Sequence, residues 1–173
     1  MLIKNFIDQN KCNQLIQILE KSEYRTRDID PQITNETTRA YLAALWKFNF
    51  SMTERVSEVF KKELIPSGDY SRMYTKGSEL KPHDDANHCE YSLTINLLNI
   101  PESKRWPFYV KTDSVIAEEY LMGPGDAVFY YGILQKHWRE ELVYDKCYQT
   151  FLHYVDVNGS NAHLGYKNYK DFL

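Results

Sequence analysis

The chain has 173 residues, 43% hydrophobic and 14% aromatic, with a formal net charge of −3 and a pI near 6.0. That composition excludes a disordered chain, allows a sizeable core in a single domain over residues 1–173, and gives no bulk electrostatic signal for a nucleic-acid partner. Cys12, Cys89 and Cys147 form neither a zinc-type pair nor a disulfide framework. With no signal-like start and no run of ~18 apolar residues, a cytoplasmic protein with no membrane partner is expected.

The first part reads helical. Asp8 or Asn10 is placed to cap a helix carrying Cys12, Leu15, Ile16 and Leu19 at helical spacing. The polar stretch from Lys21 to Thr37, with Pro31, reads as a loop. Tyr41, Leu42, Leu45 and Trp46 make a second apolar stripe. Ser51-Met52-Thr53-Glu54 has the form of a capping box, opening a third helix with Val56, Val59, Phe60 and Leu64 buried and Pro66-Ser67-Gly68 at its end. From Asp69 the period shortens to two. Strands are expected over Tyr70–Thr75, Glu90–Leu98, Pro107–Lys111, Val115–Leu121, Ala127–Tyr131 and Tyr148–Val157, with Gly123-Pro124-Gly125-Asp126 as the clearest turn. Helices followed by many short strands make an α+β fold: helical support over 1–68, a sandwich or barrel over 69–157, and a polar, then aromatic, tail over 158–173.

One short segment carries chemistry. In Lys81-Pro82-His83-Asp84-Asp85, strand geometry would turn His83 and Asp85 to one face and Asp84 to the other. His137, after the glycine turn and one further strand, supplies a second histidine at a strand end. Two histidines and one carboxylate leave coordination positions open and suit non-haem Fe(II), whereas a closed structural zinc site would want a fourth ligand.

The blocks "YTKGSELKPHDD", "EYSLTINLLN", "GDAVFYYG" and "KHWREELVYDK", in this order, resemble the Fe(II)/2-oxoglutarate-dependent oxygenases, and within them the prolyl-4-hydroxylase-like branch. The resemblance covers residues 69 to 157, and "NFIDQNKCNQLI" is similar to that branch's opening helix. It implies a distorted double-stranded β-helix, or jelly roll, with Fe(II) held by His83, Asp85 and His137, and with 2-oxoglutarate and O2 consumed. It further implies a basic residue about ten positions beyond the distal histidine for the far carboxylate of 2-oxoglutarate. Lys146 matches that position, with Gln149 and Arg139 as competitors, and Tyr74 and Asn96 match residues lining the cosubstrate pocket. The branch implies hydroxylation of a peptidyl or free amino acid. A glycine-rich turn of the hydroxylases is missing from "PESKRWPFYVKTDS", where Trp106 and Phe108 are either packing or a substrate wall.

Other readings stand beside this one. A non-catalytic jelly-roll binding module would keep the ligands without turnover, and a cupin-type metal enzyme would want more histidines in one motif. Asp84 is expected to be exposed, His88 to lie in a loop, His153 to be a satisfied core histidine and His163 to be uninvolved. Arg72 serves either an anionic substrate or an ion pair, and Trp138 packs behind the site. Substrate and oligomeric state are not legible.

Overall fold

Helix α1 (Gln9–Lys21) starts where the sequence places it, because the Asp8 carboxylate accepts the Lys11 N–H at 2.7 Å and satisfies one of the free donors of the first turn. Its apolar face of Cys12, Leu15, Ile16 and Leu19 is buried. The computed structural model describes residues 1–21, 25–28, 30–35, 37–40, 43–113 and 115–172, and of 25–28, 37, 38, 40, 43 and 44 the backbone alone. The strands are β1 (Leu2–Ile3), β2 (Arg25–Asp28), β3 (Thr37–Ala40), β4 (Leu64–Thr75), β5 (Leu80–His83), β6 (Tyr91–Ile100), β7 (Phe108–Lys111), β8 (Ala117–Tyr120), β9 (Ala127–Tyr130), β10 (His137–Arg139) and β11 (Lys146–Asp156). A second helix, α2, spans Ala43–Phe60. They form two antiparallel sheets, one of seven strands in the order β1-β9-β6-β11-β4-β3-β2 and one of four in the order β5-β10-β7-β8.

Three expectations about the first 68 residues are corrected. The stretch expected to be a loop contains β2 and ends on the first residue of β3; the two strands pair with each other and extend the large sheet through β4. The second and third helices are one: Ser51 is not a cap but lies inside α2, its Oγ donating to the Phe48 carbonyl at 2.7 Å. That helix stops at Phe60, and Lys61 takes a left-handed φ of 54°. Pro66-Ser67-Gly68 therefore lies within β4 and does not end the helix. Gly68 faces His153 and Pro66 faces Tyr154 across β11, so Ser67 is the extra residue of a bulge, a place where a strand tolerates proline. Of the expected second stripe, Leu45 is buried and Trp46 is 48% exposed, while Tyr41 and Leu42 lie outside the described residues. The tail does pack back, with Tyr169 buried and its ring 5.9 Å from that of Phe50 on α2.

The helices cover one face of the large sheet. Leu15, Ile16 and Leu19 of α1 share a core with Leu93, Ile95, Leu97, Tyr148, Leu152 and Tyr154. Burying an aliphatic side chain of this size is worth roughly 1.5–3 kcal/mol, so this face fixes the register of β6 and β11. Their alternate residues Thr94, Asn96, Cys147, Gln149, Phe151 and His153 are then turned away from the helices, toward the small sheet. Phe108 and Val110 of that sheet pack on Val128 and Tyr130 of the large one. The candidate site lies in this space between the sheets. Among the described residues no helix is long and apolar enough to cross a membrane.

Candidate metal centre

β5 and β10 are neighbours with His83 directly opposite His137, which brings two histidines distant in sequence to a ring separation of 4.3 Å. Asp85 follows two residues after β5 ends, and its N–H donates to the Gly132 carbonyl at 2.9 Å. Its Oδ1 stands 3.6 Å from His83 Nε2 and 3.5 Å from His137 Nε2. Both Nδ1 atoms lie 2.8 Å from backbone carbonyls, those of Lys81 and Gln135. A carbonyl only accepts, so each imidazole carries its proton on Nδ1 and turns the Nε2 lone pair to the shared point, the second-sphere arrangement of metal-ligating histidines. Three ligand atoms thus converge within 4.8 Å of one another. Burial pushes the Asp85 carboxyl up, but His137 and His83, which donate from Nε2 only when protonated, outweigh it and hold the group far below the usual carboxylate range. Burial lowers His83 less than the hydrogen bonds to Asp85 and the Lys81 carbonyl raise it, and its net shift is upward. Asp84 points away, 47% exposed and paired with Lys136 at 2.8 Å. The face-sharing expected of His83 and Asp85 therefore survives although the strand ends at His83.

Gly132 backs the carboxylate. A Cβ there would stand 2.2 Å from the Cys89 carbonyl oxygen and 2.5 Å from Asp85 Oδ2. Gly132→Ala must displace both, one a backbone carbonyl and the other an oxygen of the metal-binding carboxylate. We expect it to weaken Fe(II) binding about tenfold or more, and to cost ~1–3 kcal/mol of stability by overpacking, measured by metal titration and denaturant unfolding.

The triad opens onto a cavity of about 600 Å3, lined among others by Arg39, Arg72, Tyr70, Tyr74, Phe151, His153 and, at its outer end, Trp46 and Tyr166. No family model matches the chain, and no curated protein matches it in sequence. Solved structures do match in shape. A 2OG-Fe(II) oxygenase family oxidoreductase from Burkholderia pseudomallei superposes with a TM-score of 0.74 at 14% identity, over 93% of this chain and 87% of that one. HygX from Streptomyces hygroscopicus, with nickel and 2-oxoglutarate bound, gives 0.68 at 14% identity over 93% and 84%. A Pseudomonas putida prolyl-4-hydroxylase gives 0.67 at 9% identity over 88% and 90%. The fold is that of the 2OG-Fe(II) oxygenases.

Within this fold the residues expected around the cosubstrate divide. Lys146 does not approach the triad. On β11 it shares parity with Tyr148, Leu152 and Tyr154, which pack against the helices, and it is half-buried between Thr75 and Ile100. Gln149, Asn96 and Tyr74 are buried on the other face, and Gln149 joins Asn96 to a buried cation, Arg139. Gln149 Nε2 donates to Asn96 Oδ1 at 2.7 Å, and Gln149 Oε1 accepts from Thr94 at 3.0 Å and from Arg139 Nη2 at 3.5 Å. Arg139 is 1% exposed, donates to the Trp106 carbonyl at 2.7 Å, and is sandwiched by the Trp106 and Phe108 rings, each 4.8 Å from its Cζ. Trp106 and Phe108 are thus core packing residues that also flank Arg139, and Phe108 lines the cavity as well. Burial lowers the Arg139 pKa, and among the described residues no carboxylate pairs with it. Arg72, the other buried arginine among the described residues, has Asp30 at 2.9 Å. Trp138 packs away from the site, stacked on Tyr109.

Asp69, on the parity of β4 that faces α2, was not singled out in the sequence. It is 5% exposed, with Asn49 Nδ2 at 3.3 Å and its own Oδ1 unpartnered. Burial pushes its carboxyl up to about 7, against the Asn49 hydrogen bond. The folded protein then holds a proton that the unfolded chain has released between pH ~4 and 7, and stability falls as pH rises through that window, by up to about 4 kcal/mol. Asp69→Asn is expected to flatten this part of the curve and to stabilise most above pH 7, as read by denaturant unfolding at pH 4, 6 and 8.

Proposed function

We propose that this chain is an Fe(II)- and 2-oxoglutarate-dependent oxygenase of the prolyl-4-hydroxylase-like branch, one domain over residues 1–173 on a distorted double-stranded β-helix. We read its reaction as hydroxylation of an unactivated carbon of a peptidyl or free amino acid, a reading supported by the sequence blocks and by the prolyl-4-hydroxylase among the structures alike in fold. One observation carries the proposal. A single short strand, β10, holds both His137, whose Nε2 joins the triad, and Arg139, a buried guanidinium with no carboxylate of its own among the described residues. A lone buried cation costs several kcal/mol, and an anionic ligand reaching from the metal would offset that cost.

In this reading His83, Asp85 and His137 hold iron, and Arg139, hydrogen-bonded to Gln149, binds the far carboxylate of 2-oxoglutarate, with Tyr74 and Asn96 beside it. Asn96 Nδ2 is buried without a partner and is a second donor for that carboxylate. The bound pair supplies O2 activation, with 2-oxoglutarate decarboxylated to succinate. The chain's own part is to place and dry the site. Tyr130 and Phe108 pack their rings 4.6 and 5.7 Å from that of His137, fixing its orientation and excluding water on that side. Anaerobic titration with Fe(II) and 2-oxoglutarate tests the reading without knowledge of the substrate. A visible metal-to-ligand charge-transfer band is expected, followed by succinate on admission of O2. Folded, metal-loaded protein with no such band would refute it.

A further inference from the structure

His153 lies in the cavity wall beyond the triad and has no role in the reading above. It is 3% exposed, and its ring stacks at 30° on that of Tyr70. Asp85, Cys89 and His153 each place a potential ligand atom within 4.8 Å of the others, so the imidazole is a close neighbour of the metal-binding carboxylate. The sequence suggested a satisfied core histidine, but only half of it is satisfied. His153 Nδ1 lies 2.8 Å from Ser92 Oγ, while Nε2 is buried with no partner.

The hydrogen bonds decide what Nε2 can do. Ser92 Oγ also lies 3.0 Å from the Cys89 carbonyl oxygen, which only accepts, so the single hydroxyl proton goes there. The serine oxygen must then accept from His153, and the ring's proton sits on Nδ1. A ring this buried, with no carboxylate hydrogen-bonded to either nitrogen, stays neutral. Nε2 is therefore a fixed lone-pair acceptor in a wall of the cavity. Gly68 and His88 line the cavity beside it, the His88 ring 6.1 Å from that of His153.

We propose that His153 Nε2 is a substrate-recognition group: the substrate carries an N–H or O–H donor close to the carbon that meets the metal, and this donor is bound by His153. The inference rests on the oxygenase reading for its meaning but not for its test. An amide or alcohol substrate fits, whereas one offering only acceptors or hydrocarbon at this point would leave the buried nitrogen unpaired, the stronger form of discrimination.

The experiment uses the full chain, 15N-labelled at histidine and loaded with Zn(II) and 2-oxoglutarate as a diamagnetic, unreactive stand-in for the iron form. Long-range 15N–1H correlation is expected to show His153 with a protonated Nδ1 and a bare Nε2, the signal assigned by its loss in His153→Phe. N-methylacetamide should shift the Nε2 resonance upfield and bind roughly 2- to 10-fold more tightly than N,N-dimethylacetamide, which has no N–H; in His153→Phe the preference should vanish. A protonated Nε2, equal responses to both amides, or no response to either would overturn the proposal. The Fe(II)–2-oxoglutarate band, measured on the same preparations, separates the two failures. Its absence sinks the oxygenase reading and leaves the tautomer result standing; a normal band with a protonated Nε2 sinks this proposal alone.

Discussion

His83→Ala, Asp85→Ala and His137→Ala are each expected to lower Fe(II) affinity by more than about 100-fold and to abolish the Fe(II)–2-oxoglutarate band. Loss of a single second-sphere partner already costs 10–100-fold at metal sites, and each of these substitutions removes a ligand atom itself. Asp85→Ala leaves two imidazoles with no anion between them. Either histidine substitution leaves Asp85 buried with one of its two partners gone. The fold should persist, because the three residues lie outside the core that joins helices to the large sheet. Asp84→Ala is the control. Its pair with Lys136 is solvent-exposed on both sides and worth at most about 1 kcal/mol, so metal binding should be unchanged. Titration of all four variants, with a thermal melt to verify folding, decides the matter. Full binding in Asp85→Ala, with loss in Asp84→Ala, would assign the wrong aspartate.

Such a triad was readable from sequence because its signal is local. A strand end, a period of two and a turn before the next strand suffice to put His83 and Asp85 on one side. Six of the strands after Asp69 were readable for the same reason, while the short β5 and β10 were not among those expected. What failed was set by tertiary context. Ser51 and Glu54 have the spacing of a helix start, but burial of Leu45 and Phe48 on one side and Val56 on the other keeps one helix running through them. β2 and β3 are polar and gain their place as the outer strands of a large sheet, which no local pattern announces. Lys146 was chosen by its distance along the chain from His137, and side-chain parity undoes the choice. Tyr148, Leu152 and Tyr154 are committed to the helices, so Cys147, Gln149, Phe151 and His153 face the site and Lys146 does not. Parity through Gln149 was visible in the sequence. The burial that selects it was not.

Arg139→Met is expected to raise the Kd for 2-oxoglutarate on the order of 100-fold in the metal-loaded protein, while Lys146→Ala changes it less than about twofold. Truncating one partner of a desolvated charge pair costs about 2–5 kcal/mol, and each 1.4 kcal/mol is tenfold. Lys146 lies on the opposite face of β11 and has no such pair to lose. The unliganded stabilities separate a binding role from a structural one. Methionine fills similar space between Trp106 and Phe108 and removes a charge that burial disfavours, offsetting the lost bond to the Trp106 carbonyl. Unliganded Arg139→Met should therefore unfold close to wild type. Cosubstrate at 100 times the wild-type Kd should then stabilise wild type and Lys146→Ala by about 2.7 kcal/mol, and Arg139→Met by less than ~0.5 kcal/mol. If Arg139→Met instead keeps its cosubstrate affinity but unfolds readily, the guanidinium is a strut between Trp106 and Gln149 and the anion is held elsewhere. Arg72, which reaches the cavity from β4 already paired with Asp30, would be the next residue to replace.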